Sequence, residues 1–188
     1  MTLTERGVAI SAVPLAALLA GGREVVEGRS ELRLSDYVEE IVSSGFTGIR
    51  SDPYQLRGRA IGSYVEQIVE RDIPELGEGI RRLGKLLAWL TAYAAASSTT
   101  ASGARILASA TPGQDDKPSK NTVAAYRALL ERIWILDPLP AWIPQFNPLK
   151  RLAQAPKHHL ADPALAARLP GSTPESLLRA EGPHRNPD

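Results

Sequence analysis

Ser119-Lys120-Asn121-Thr122-Val123-Ala124-Ala125-Tyr126-Arg127-Ala128-Leu129-Leu130-Glu131-Arg132-Ile133 reads as a capped amphipathic helix. Ser119 stands where a hydroxyl oxygen can accept one of the unpaired backbone N–H groups of a helix start. Val123, Tyr126, Leu130 and Ile133 recur every three to four residues and make one apolar stripe. Lys120, Asn121, Ala124 and Arg127 stay off that stripe.

The flanks decide what such a helix belongs to. Upstream, 97–100 can cap a short helix over 101–110, and 111–118 form a polar turn with two prolines. Downstream, 134–144 suit an extended segment and turn, and 158–161 a short strand. Helix, turn, capped helix and extended segments are the layout of a helix-turn-helix with a wing, although the turn exceeds the usual three or four residues. The same residues also describe a three-helix packing module with ordinary surface lysines.

Further out the pattern stays helical. Pro14 opens a short helix that Gly21 stops, and Ser35 is the expected cap of a helix over 36–42. Ser51-Asp52-Pro53 opens a longer helix with Ile61, Tyr64, Val65, Ile68 and Val69 on one face. Gly58 and Gly62, four apart, suit close packing against a neighbour, and Pro74 is expected to end the pattern. A second long helix is predicted over 80–96, with Leu83, Leu86, Leu87, Leu90 and Tyr93 on one side and Arg81, Arg82 and Lys85 on the other. Asp162-Pro163 reads as an N-cap followed by proline in the first turn of a helix over 164–169. The expected fold class is therefore mainly α: a helical linker or lid bundle (1–97), a winged-helix-like module (98–170) and a C-terminal tail (171–188).

Composition narrows the function. The chain has 188 residues, 43% of them hydrophobic, a net charge of +1 and no cysteine. No global field draws it to nucleic acid or membranes, and thiolate metal sites, disulfides and cysteine nucleophiles are excluded. The longest apolar runs fall well short of the ~20 residues that span a bilayer, so no membrane partner and a cytoplasmic location are expected.

The search for catalytic patterns is empty. Gly84-Lys85 is followed by Leu86 inside a helix, not by the serine or threonine of a phosphate-binding loop, and no cofactor fingerprint occurs. His158 and His159 would point to opposite faces of a strand, which disfavours a shared metal. Glu66 and Glu70 lie on one helical face opposite the apolar stripe, as a solvated pair would. No Gly-x-Ser-x-Gly elbow is present. The expectation is a chain without catalytic, cofactor-binding or metal-binding residues.

A local charge bias remains. Between Lys117 and His159 seven Lys or Arg face two acids, an excess of +5. The candidate DNA-binding residues are Lys117, Ser119, Lys120, Asn121, Thr122, Arg127, Lys150 and Arg151, with Lys157 as a further phosphate contact. Trp89, Trp134 and Trp142 are possible stacking platforms, but their apolar neighbours assign Trp89 and Trp134 above all to the core.

Several blocks carry a resemblance: Glu70-Arg71-Asp72-Ile73-Pro74-Glu75, Asn121 to Glu131, Leu139-Pro140-Ala141-Trp142 and Pro156 to Ala166. Over about Glu5 to Leu178 the chain resembles the region after the P-loop domain in prokaryotic, actinobacterial-type ATP-binding proteins of the AAA class. Those proteins join that domain to a winged helix and a C-terminal domain of unknown function with a nuclease-like fold. The resemblance implies a winged helix with 119–133 in the recognition-helix position. The nucleotide-binding motifs would lie upstream and the nuclease-like core downstream, so the expectation is a non-catalytic fragment. Its expected partner is DNA, bound weakly and in a salt-dependent way. The alternative is a protein-interaction module that docks on an intact ATPase or on itself through an apolar face at Leu83–Leu90.

Overall fold

The computed structural model describes residues 3–8, 13, 15–23, 31–75, 82–113, 117–141 and 155–181. The elements are α1 (Leu15–Leu19), α2 (Leu34–Val42), α3 (Thr47–Arg50), α4 (Tyr54–Gln67), α5 (Ile73–Glu75), α6 (Leu83–Ala95), α7 (Gly103–Ala110), α8 (Lys120–Arg132), α9 (Pro163–Arg168) and α10 (Pro174–Leu178). The described fold is mainly helical, and none of its helices is long and apolar enough to cross a membrane.

Capping chemistry sets several of the helix starts. Ser119 caps α8 and Asp162 caps α9, as their sequence positions predict, each side chain accepting an amide of the first turn. For α2 the cap is Arg33 rather than Ser35; the Asp36 carboxylate accepts the Arg33 N–H at 2.7 Å. For α7 the cap is Ser102, whose hydroxyl accepts the Arg105 N–H at 3.3 Å. The helix expected from residue 80 begins at Leu83, with Arg82 ahead of it as the N-cap; residues 80–81 lie outside the described residues.

Pro74 does not end its helix. Between α4 and α5 the backbone widens into a π-helical turn over Ile68–Asp72, and the Ile73 N–H bonds back to the Ile68 carbonyl. In a regular helix the proline ring meets the carbonyl four residues earlier, and its nitrogen offers no donor. The wider turn carries the chain past that conflict.

Among the described residues, extended pairing is confined to short contacts. Lys157 and Leu139 exchange two hydrogen bonds of 2.9 Å, and Leu136 bridges Leu160, both antiparallel. On the other side of the same segment, Ser98 N–H donates to the His158 carbonyl at 2.7 Å and His158 N–H to the Thr99 carbonyl at 3.0 Å. Segment 157–161 therefore runs between 98–99 and 135–139.

One hydrophobic core runs across residue 97. Ile61, Ile68, Ile73, Leu86, Trp89, Leu90 and Tyr93 join Ile106, Tyr126, Leu130, Ile135, Leu136 and Leu165 in a single buried cluster. Leu86, Leu130 and Ile73 are completely buried, and each such side chain contributes about 1.5–3 kcal/mol. α9 packs against α2, α4 and α6, and α7 against α6. Residues 171–181, expected as tail, include α10 with its buried Ser176, packed on α2.

Candidate nucleic-acid interface

α7 stops where Pro112 forces Thr111 out of the helical region (φ −134°, ψ 59°). Thr111 is buried and its hydroxyl donates to the Leu107 carbonyl at 3.1 Å, while Pro118 is buried at the far side of the turn. These two anchors fix where α8 begins. Trp89 sits under α8, its ring 6.4 Å from that of Tyr126. Tyr126, Leu129 and Leu130 are buried, with Val123 and Ile133 half-buried beside them.

The opposite side of α8 is open. Lys120, Asn121, Ala124, Ala125, Ala128 and Arg132 are exposed along its length. Three alanines flanked by polar groups leave a slim helix face, and a helix of this diameter fits a DNA major groove. Lys117, Lys120 and Asn121 have no side-chain partner among the described residues.

Other candidates are already engaged. The Ser119 hydroxyl accepts the Thr122 N–H at 3.1 Å and shares a 2.9 Å bond with the Thr122 hydroxyl, so both side chains serve the cap. Arg127 is half-buried and pairs with Glu131 at 2.6 Å on the same helix. Lys150, Arg151 and Trp142 lie outside the described residues. Lys157 is exposed beside the 135–139 pairing. Arg82, at the start of α6, is close enough to Tyr126 to oppose the upward push of burial on that phenol.

The remaining candidates fall elsewhere. His158 is buried: its Nε2 bonds the Ala101 carbonyl at 2.7 Å and its ring meets Tyr93 edge-on at 4.8 Å. His159 is half-exposed on the other face of the segment, as alternation requires. No group of three His, Cys, Asp or Glu able to hold a metal occurs among the described residues. Glu66 and Glu70 are both exposed.

The expectation of core burial holds for Trp89, at 3% exposure, and is overturned for Trp134, at 78%. Trp134 is the first residue beyond the C-cap of α8, and its φ of 59° turns the side chain away from the core. The apolar face suggested for docking is also largely covered. Leu86 and Leu90 are buried against their own fold, leaving Leu87 as the exposed leucine of the set.

Residues 34–176 match the model of a family described as a domain of unknown function, DUF8612. That match covers well over half of the chain, which therefore belongs to this family. Neither the curated proteins nor the solved structures contain a match.

Proposed function

We propose that this DUF8612-family chain is a DNA-contacting module of the winged-helix type, acting by binding and not by catalysis, with the open face of α8 as its contact. The observation that carries the reading is the element order. α6 is followed by the 98–99 segment, α7, the capped α8, and then two antiparallel segments, 135–139 and 157–161, the second also bonded to 98–99. In helix-turn-helix modules the second helix of the pair presents its first turn to base edges while flanking cations hold phosphates. The first turn of α8 presents Lys120 and Asn121, with Lys117 just ahead of it. Lysine reaches guanine or phosphate and asparagine reads adenine, so both chemistries are available at one helix end. The resemblance to ATP-binding proteins of the AAA class supports a place next to a nucleotide-driven domain, which would supply any turnover.

The test is fluorescence anisotropy of labelled duplex DNA over a range of salt. Binding at low salt that weakens linearly on a log–log plot supports the reading, since phosphate contacts release counterions. No binding at low salt, or binding indifferent to salt, rejects it.

A further inference from the structure

Trp134 is costly in two ways at once. It is 78% exposed, although tryptophan is among the side chains with most apolar area to bury. Its backbone is also left-handed, with φ 59°, where a Cβ costs roughly 1–2 kcal/mol. The hydrogen bonds explain the backbone but not the side chain. Trp134 N–H donates to the Glu131 carbonyl at 3.1 Å and Ile135 N–H to the Leu130 carbonyl at 2.9 Å, the two bonds of a helix end that glycine usually makes. Glycine would form both without strain, and the indole makes no hydrogen bond or ring contact among the described residues. Strain and exposure combined mark a surface built for an outside contact.

A receptor of matching chemistry lies next to it. A cleft of about 380 Å3 is lined by Tyr64, Ile68, Asp72, Glu75, Ile133 and Ile135. Ile133 and Ile135 are the chain neighbours of Trp134, so projection and cleft share one patch of surface. Ile68 and Ile135 give the cleft an apolar floor. The Asp72 carboxylate has no hydrogen bond or ion pair among the described residues, and Glu75 is paired only with exposed Arg71, at 3.1 Å. The cleft offers an apolar floor and a free acceptor; Trp134 offers an apolar ring and an N–H donor.

We infer that Trp134 and this cleft form a self-complementary interface with a second copy of the chain, each indole entering the other protomer's cleft and donating its Nε1–H to the partner's Asp72. A two-fold axis demands that every contact be returned, and it closes after two copies. A projection and a receptor side by side on one surface meet that demand. Nucleic acid is a poor occupant, because Asp72 and Glu75 repel phosphates. Trp134 also stands at the opposite end of α8 from Lys117 and Lys120, about 20 Å away for a helix of this length. The interface is thus independent of the DNA-contacting face.

Sedimentation velocity of the full chain from ~1 μM to ~1 mM spans the affinities expected of a small interface. The expected result is a reversible monomer–dimer equilibrium. Trp134→Gly should weaken the dimer at least tenfold while its monomer melts at or above the wild-type temperature, which separates lost contact from lost fold. Asp72→Lys should weaken it from the receptor side. An equimolar mixture of the two variants should form a heterodimer tighter than either homodimer, because only the mixed pair keeps one intact contact. A monomer throughout the range, a dimer that survives Trp134→Gly, or a mixture without heterodimer would each overturn the inference. So would burial of the indole by duplex DNA with a single chain bound.

Discussion

The Asp162 carboxylate accepts the Ser44 hydroxyl at 3.1 Å, a contact between residues 118 positions apart. The same side chain takes the Gly45 N–H and, through its other oxygen, the Ala164 N–H at 2.8 Å. Asp162 and Ser44 are both almost fully buried. One group therefore caps α9 and locks the α2–α3 turn onto it. Replacing Asp162 by alanine removes a helix cap worth about 1 kcal/mol and strands a buried hydroxyl at a further cost of about 1–3 kcal/mol. Urea unfolding of Asp162→Ala is expected to show a loss of about 2–4 kcal/mol. Hydrogen exchange should quicken in α2 and α9 together; a loss confined to α9 would contradict the linkage.

Glu40 gives the fold an acid-sensitive point. It takes Arg6 and Arg50 at 2.9 Å each, and all three side chains are mostly buried. Burial pushes its carboxyl upward, but hydrogen bonds from Arg50 and Arg6 prevail and hold it below its ordinary 4.5. The folded chain thus binds this proton less readily than the unfolded chain. The contribution is complete above the ordinary value and is lost as pH falls through the lowered one. Denaturation between pH about 3 and about 6 should show wild type losing stability on acidification more steeply than Glu40→Gln. Parallel curves would reject the assignment.

The open face of α8 makes separable predictions. Lys120→Ala should weaken duplex binding, lower the salt slope by about 0.9 and leave the melting temperature unchanged. Arg127→Ala should weaken binding less, because its guanidinium is held by Glu131. Ser119→Ala should cost about 1 kcal/mol of stability through the lost cap. If Arg127→Ala proved the more damaging of the two, the contact would have to lie further along the helix.

Gly58 and Gly62 share the spacing of a packing pair, and they differ in what surrounds them. A Cβ at Gly58 meets nothing within 4 Å, whereas one at Gly62 meets the Arg168 guanidinium at 3.2 Å. Gly58→Ala should therefore stabilise α4 by up to about 1 kcal/mol. Gly62→Ala should stabilise it less, since the Arg168 tip must move aside. Equal gains in thermal unfolding would show that Arg168 does not rest there.

Much of this architecture was legible because local chemistry determined it. Ser119 and Asp162-Pro163 announce helix starts, and the stripes in α4, α6 and α8 announce buried faces. What stayed hidden depended on the tertiary environment or on backbone detail. Pro74 alone signals a stop, and only the preceding five residues, wound as a π turn, let the helix pass. Trp134 lies inside the apolar run 133–136, so its neighbours suggest the core; the left-handed helix end that expels it leaves no composition signal. Thr122 looks like a free hydroxyl in sequence, yet it shares a hydrogen bond with the capping hydroxyl of Ser119. The union of 98–99 with 157–161 joins segments far apart in the chain through backbone groups that carry no residue code.

α9 and α10 both pack against α2, so a helix early in the described fold is held by the last two. Partners so distant along the chain meet only after a long loop has closed, so α2 should gain its packing late in folding.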